Sequence, residues 1–154
     1  MRDRSQEILD GLNEIFRFLG VYGGIITIDE DWDFSLYVHD EGIWNELESG
    51  EYEIEMASST GINGDHVVDP LFWIVVKFDE AHEKVVSAKA TGYRSEWPGG
   101  WMEIDKDNNV YDDTGVEHME GELEERLCNY LETITKFRPY LRNPVSVERF
   151  DQCS

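Results

Sequence analysis

Apolar residues recur at helical intervals near both ends of the chain. The N-terminal set marks one face of a helix that Gly20 ends, and it consists of Ile8, Leu9, Leu12, Ile15, Phe16 and Leu19. The C-terminal set marks a second helix that Pro139 stops, and it consists of Met119, Leu123, Leu127, Tyr130, Leu131, Ile134 and Phe137. We therefore predict a helix near each end of the domain.

The stretch between these helices has the pattern of β-strands. Short runs rich in branched and aromatic residues alternate with turns that contain Gly, Asp or Asn. The run at 71–78 is continuously apolar and predicts the most buried strand, whereas the polar segment 60–70 predicts a loop. This order predicts a single α+β domain over residues 1–154. We expect an antiparallel meander sheet of about six or seven strands, flanked by both helices, and a loosely packed tail at 143–154.

The charge of the chain is one-sided. Its 154 residues include 34 Asp and Glu but only 13 Lys and Arg, which gives a formal net charge of −21. Between Arg17 and Lys77, 59 residues contain 13 carboxylates and no Lys or Arg. Because like charges repel one another, such a stretch suggests selection for something other than stability. Intrinsic disorder is excluded as the explanation, since 40% of the residues are apolar and 12% are aromatic.

This charge narrows the possible partners. Direct binding of nucleic acid is excluded because phosphate contacts require Lys and Arg, and an anionic membrane surface is excluded on the same ground. The N-terminus has no apolar run of the signal-peptide kind, and no run reaches the ~18 residues of a membrane span. We expect a cytoplasmic protein in which Cys128 and Cys153 are free thiols. The acidity favours a basic protein partner, a bound cation or simply solubility.

The most unusual acidic feature is a predicted hairpin over residues 46–55, turned at Ser49-Gly50. Alternation places five glutamates on one face at intervals of ~6.6–6.8 Å, namely Glu46, Glu48, Glu51, Glu53 and Glu55. In this register Glu48 faces Glu51 and Glu46 faces Glu53. Each opposed pair destabilises the hairpin by about 0.2–1 kcal/mol. No basic residue near in sequence relieves them.

Three interpretations of this face are open. It is a solvated surface that keeps an edge strand from aggregating, an anionic docking surface, or a cation site. In the docking interpretation the partner-binding residues are the hairpin glutamates together with Asp29, Glu30, Asp31 and Asp33. B-DNA carries one charge per ~1.7 Å, so mimicry of nucleic acid requires several segments to converge. The acidic run at 112–125 is a further candidate segment.

A pocket is the alternative site. Asp65, His66 and Asp69 supply polar groups, and Trp97 and Trp101 supply aromatic walls, for a small ligand-binding or catalytic pocket. The discriminating observation is whether these residues converge in one concave place.

Metal and catalytic motifs give no assignment. The Asp- and Asn-rich segment 105–113 imitates a calcium loop, but Val110 and Val116 stand where that motif has glycine and glutamate, so a hairpin turn is the better interpretation. The four histidines lack the spacing of metal ligands, and no nucleophile motif is present. We assign no catalytic residue, no cofactor and no metal ligand, and we do not expect an enzyme.

One motif carries a resemblance. The sequence Asn63-Gly64-Asp65-x-x-x-Asp69-Pro70, followed by an apolar strand, a second strand and a helix, resembles a small plasmid- and mobile-element-borne family of unknown function. The resemblance covers residues 51–137. It implies a mobile-element or accessory-gene setting and no particular reaction.

The sequence therefore favours an acidic protein-interaction module. Its expected role is to mimic nucleic acid, or to act as inhibitor or immunity partner of a basic protein that handles nucleic acid. The alternatives are a small ligand-binding domain or enzyme with the pocket named above, and an accessory domain whose charge serves solubility alone. The oligomeric state has no signature in the sequence.

Overall fold

The computed structural model describes residues 4–20, 23–29, 34–40, 51–62, 65–81, 83–96, 101–137 and 146–150. The first helix and the first five strands are α1 (Arg4–Leu19), β1 (Gly23–Asp29), β2 (Phe34–Asp40), β3 (Glu51–Ile62), β4 (Asp65–Phe78) and β5 (Val85–Ser95). They are followed by β6 (Met102–Ile104), β7 (Asn109–Asp112), β8 (Gly115–His118), α2 (Glu122–Glu132), a π-helical turn (Thr133–Phe137) and β9 (Ser146–Arg149).

The strands form one antiparallel sheet in the order β8-β7-β6-β5-β4-β3-β2-β1-β9. Consecutive strands are neighbours from β1 to β8, and β9 returns to pair with β1. The predicted α+β class with a meander sheet and a helix near each end is confirmed, although nine strands are described. Both β8 and β9 are four residues long and exposed throughout, so the sequence has no alternation of buried positions that would predict them.

Both helices pack on the same face of the sheet. Every second residue of β3 and β4 points to this face, and Ile54, Met56, Phe72 and Ile74 are almost fully buried there. The predicted apolar stripe of α1 supplies the other half of the core, from Ile8 to Leu19. No helix among the described residues covers the opposite face, which we call the open face.

The two helices approach closely at Gly11. A Cβ atom at this position would lie 2.8 Å from the Cβ of Leu131, which is closer than side chains pack. Gly11 therefore lets α1 rest directly on α2. Gly20 ends α1 as predicted, with φ of 77° and its N–H donating to the carbonyl of Phe16 at 2.9 Å.

The predicted loop at 60–70 is wrong, because β3 continues to Ile62 and β4 begins at Asp65. Proline in this position suggests a loop, since it cannot donate to a sheet ladder. The sheet accommodates Pro70 at an irregularity: Ala57 pairs with Leu71 and Ser59 with Val68, so Ser58 alone stands against two residues of β4.

The C-terminal helix differs from the continuous stripe that the sequence predicts. It is α-helical only to Glu132, and a π-helical turn follows from Thr133 to Phe137. The hydroxyl groups of Thr133 and Thr135 donate to carbonyls four residues back, at 2.9 and 2.7 Å. Such bonds bend helices, and this β-branched run is a poor α-helix former, so both favour the wider turn.

The first strand of the predicted hairpin, residues 46–48, lies outside the described residues. Within the part of the chain that is described, no helix has the length and apolar character needed to cross a bilayer.

Candidate protein-interaction surface

The predicted glutamates of β3 do share one face. Glu51, Glu53 and Glu55 are half-buried on the open face and alternate with core residues such as Ile54. The sequence places no basic residue near them, but the sheet does, because Lys77 of β4 lies opposite Glu51. Each of the three glutamates has an interaction partner in the fold. The column is therefore less one-sided than its sequence indicates.

The opposed glutamate pairs stay a prediction. Glu46 and Glu48 lie outside the described residues, as do Glu30, Asp31 and Asp33. Asp29 is the last residue of β1, where its backbone pairs with Phe34. The described partner of β3 on this side is β2, which places His39 opposite Glu55.

The alternative pocket stays a prediction. Asp65, His66 and Asp69 belong to β4 and not to the loop predicted at 60–70. Their side chains and Trp97 lie outside what the structure describes. Trp101 is described, directly before β6, and is 37% exposed. Whether the five residues converge stays open.

A second acidic surface is more one-sided than the β3 column. We call residues 101–125 the acidic arm; it comprises β6, β7, β8 and the first turn of α2. The arm contains 10 Asp and Glu but a single basic residue, Lys106. From Asp113 to Glu120 every residue is exposed. Only the run at 112–125 was singled out by sequence, because β8 was not predicted.

The acidic arm also exposes apolar side chains. Five large hydrophobic residues are exposed among the described part of the chain, and three of them lie in the arm. Val116 is 63% exposed on β8, Met119 is 43% exposed just after it, and Trp101 precedes β6. Exposed apolar and aromatic groups within a charged surround are typical of protein interfaces, in which such groups supply most of the affinity.

Asp105 organises the turn between β6 and β7. Its Oδ1 accepts the backbone N–H groups of Asp107 and Asn109 at 2.9 and 3.0 Å, and its Oδ2 accepts the Tyr111 hydroxyl at 3.0 Å. Desolvation acts to raise the pKa of Asp105, but these hydrogen bonds outweigh it and hold the pKa below its ordinary value. The calcium-like spacing is therefore that of a hairpin turn, as predicted.

Asn108 joins this turn to the rest of the arm. It adopts a left-handed conformation with φ of 64°. Its backbone carbonyl accepts the N–H of Met119 at 3.0 Å, and its side-chain Oδ1 accepts the N–H of Leu123 at 2.9 Å. The N-cap residue of α2 is Gly121, which has no side chain to cap the helix, so Asn108 supplies the cap to Leu123 from 15 positions away. One residue thereby fixes β8 and α2 relative to the hairpin.

Two grooves lie on the helix side of the molecule. The larger, about 1090 Å³, runs along α1 and is lined by residues such as Asp10, Glu14 and Lys84. The smaller, about 470 Å³, lies beside Pro70 and is lined by Tyr93, Arg126 and Tyr130, among others. Arg126 donates to Glu122 at 2.8 Å and stacks over the Tyr93 ring, so its charge is already compensated.

One group of described side chains has the chemistry of a metal site. The Sγ of Cys128 donates to a Glu7 carboxylate oxygen at 3.0 Å, and the ligand atoms of Glu7, Cys128 and Glu132 all lie within 4.8 Å of one another. A thiolate and two carboxylates are ligands for a divalent cation such as zinc. In the structure, the hydrogen bond from the Cys128 thiol to the Glu7 carboxylate explains why these two side chains lie close together.

No protein-family model matches the chain, and neither a curated protein nor a solved structure is significantly similar to it. The resemblance to a plasmid-borne family therefore stays a prediction.

Proposed function

We propose that this protein is an acidic interaction module whose partner is a basic protein, of the class that handles nucleic acid. The observation that carries the proposal is the acidic arm, which combines 10 carboxylates and a single lysine with three exposed apolar side chains. Complementary charge accelerates encounter and selects the partner, and buried apolar anchors slow dissociation.

Convergence of segments supports mimicry of nucleic acid. A single column of glutamates is sparser than the phosphates of DNA, which carry one charge per ~1.7 Å. In the arm, carboxylates from three neighbouring strands and from the start of α2 share one end of the sheet.

The test is a competition assay with a defined basic protein. Fluorescent duplex DNA is bound to a purified core histone dimer, and the protein is titrated against it at low and at high ionic strength. We expect displacement of the DNA at low ionic strength and loss of displacement as salt screens the charges.

Matched variants separate the arm from net charge. The arm variant carries Asp113→Asn, Glu117→Gln and Glu120→Gln, and the control carries Glu80→Gln, Glu83→Gln and Glu148→Gln; all six residues are exposed. At about 0.5 kcal/mol for each exposed charge, the arm variant should displace DNA about tenfold less effectively, whereas the control should resemble the wild type. Equal losses would mean that the charge acts only in bulk. No displacement at low ionic strength would reject the proposal.

A second candidate function rests on the groove beside Pro70. Its volume of about 470 Å³ and its mixture of phenol, guanidinium and amide groups suit a small polar ligand. A thermal-shift screen of metabolites on the wild type and on Asn129→Ala, which truncates an exposed groove residue, tests this candidate. A ligand that raises the melting temperature of the wild type alone supports it, and an empty screen removes it.

A further inference from the structure

Strand β8 forms one edge of the sheet. Its four residues, Gly115–His118, are all exposed, and within the described residues no strand pairs with its far side. An edge strand presents unpaired backbone groups on which another chain can add a strand.

The ladder between β7 and β8 settles which backbone groups face outward. His118 stands opposite Asn109, and the next N–H along, that of Met119, donates to the carbonyl of Asn108. In an antiparallel ladder this bond marks the His118 position as one whose own N–H and C=O point away from the partner strand. Because the pattern alternates, Glu117 bonds to β7, whereas Val116 and His118 direct their N–H and C=O groups to the open edge.

The side chains around this edge favour one kind of occupant. Val116 is the most exposed large hydrophobic residue described and lies beside Tyr111 of β7. The exposed carboxylates of Asp113, Glu117 and Glu120 accompany it along the edge. An added strand meets its neighbours on both faces, so a segment in which Lys or Arg alternates with apolar residues would match both the charge and the apolar contact.

We propose that β8 is extended by a strand from the partner, namely an extended basic segment that pairs with the backbone of Val116 and His118. This inference rests on the proposed function and adds the mode of recognition: main-chain hydrogen bonds set the register, and the acidic arm selects for Lys and Arg. A second copy of this chain is the competing occupant of the edge, and a net charge of −21 on each copy opposes it.

The first test uses two synthetic peptides of equal charge. One is an eight-residue peptide that alternates Lys with Val, and the other is the same peptide with every backbone amide N-methylated, so that neither of its edges can donate hydrogen bonds. Binding is measured by fluorescence anisotropy, and amide hydrogen exchange is followed by NMR. We expect the first peptide to bind at least about tenfold more tightly and to slow exchange at Val116 and His118.

The second test changes the edge itself. Val116→Pro removes an N–H that faces outward and leaves the bonds between β8 and β7 in place, because edge positions with outward N–H groups tolerate proline. Val116→Thr is the matched control, since it keeps the N–H and the branched shape. We expect Val116→Pro to weaken binding of the Lys–Val peptide about tenfold and Val116→Thr to weaken it less than about fivefold. Retained amide shifts in β7 verify that the hairpin is intact.

The outcomes distinguish this inference from the proposed function. Equal binding of both peptides, or equal effects of the two Val116 variants, would show that charge alone attracts basic chains, which overturns strand addition and leaves the proposed function standing. Absence of peptide binding also overturns it, while the histone competition continues to test the function separately. A stable dimer of the wild type that Val116→Pro dissociates would assign the edge to a second copy and overturn the inference.

Discussion

Substitutions of Asn108 test how the acidic arm is held against α2. The residue combines two roles that different substitutions separate: a left-handed backbone and a side-chain cap on α2. Replacement by alanine removes the cap, at a cost of about 1 kcal/mol, and places in the left-handed region a residue that lacks asparagine's tolerance for it, at about 1–2 kcal/mol. We therefore expect Asn108→Ala to lower the free energy of unfolding by about 2–3 kcal/mol.

Two further variants of Asn108 divide that total. Glycine adopts a positive φ without strain but offers no acceptor, so Asn108→Gly should cost about 1 kcal/mol, the value of the cap. Aspartate keeps an acceptor oxygen for the Leu123 N–H and adds a negative charge at a helix N-terminus, so Asn108→Asp should stay within about 0.5 kcal/mol of the wild type.

Urea unfolding followed by circular dichroism measures these differences, with equal m-values as the condition for comparing midpoints. Lys106→Ala, at an exposed position of the same turn, is the control and should change stability by less than about 0.5 kcal/mol. An Asn108→Gly variant as stable as this control would show that the long-range cap contributes nothing. Equal costs for glycine and alanine would show that alanine carries no strain in the left-handed backbone.

Three other predictions concern the core, a buried hydroxyl pair and acid sensitivity. Gly11→Ala gains about 1 kcal/mol of helix propensity but crowds Leu131, which costs about 1–3 kcal/mol, so thermal unfolding should show a net loss; a higher melting temperature would contradict the close approach. The Ser58 hydroxyl forms a hydrogen bond with the Tyr130 hydroxyl, and Ser58 is only 2% exposed, so Tyr130→Phe should lower the free energy of unfolding by about 1–3 kcal/mol. Adding Ser58→Ala should restore most of this loss, and strictly additive costs in urea unfolding would contradict the pairing. Because the pKa of Asp105 is lowered in the folded state, its carboxylate stabilises the fold at pH values above the unfolded pKa of about 3.9, and this stabilisation is lost as pH falls through the lower folded pKa. The difference in free energy of unfolding between wild type and Asp105→Asn should therefore shrink below about pH 4. A difference that is constant in pH would contradict this role of Asp105.

The sequence predicts those parts of the fold in which burial imposes a period. The stripe of α1 and the apolar run of β4 appear in the structure because each of these elements buries one face or both. Strands β8 and β9 bury nothing, so their pairing depends on neighbours that a local pattern does not contain. The loop predicted at 60–70 is wrong for a related reason, since this polar segment joins the sheet through a bulge that depends on the register between β3 and β4.

The candidate site was predicted less well than the fold. A search for Lys- and Arg-free sequence found the longest acidic stretch, but charge density on a surface depends on which strands are neighbours. Lys77 is 26 positions from Glu51 in the chain and stands opposite it in the sheet. Asn108 and Leu123 likewise meet only because the hairpin folds back over the start of α2. A ratio of acids to bases over 25 residues would not have singled out the arm, because residues 29–53 hold as many carboxylates and no Lys or Arg. What distinguishes the arm is that the sheet places β6, β7 and β8 side by side.

The ratio of acidic to basic residues bears on the remaining interpretation, in which the acidity serves solubility alone. The acidic arm has 10 carboxylates and one lysine, whereas the other residues have 24 carboxylates and 12 Lys and Arg. Solubility requires a net charge but does not require that the charge be concentrated in one place. Like charges concentrated in the arm repel one another. The hydrogen bonds of Asp105 and Asn108 hold the elements of the arm together despite this repulsion. A solubilising charge spread at the average ratio would avoid that repulsion, so its concentration beside an open strand edge and three exposed apolar side chains favours a docking surface.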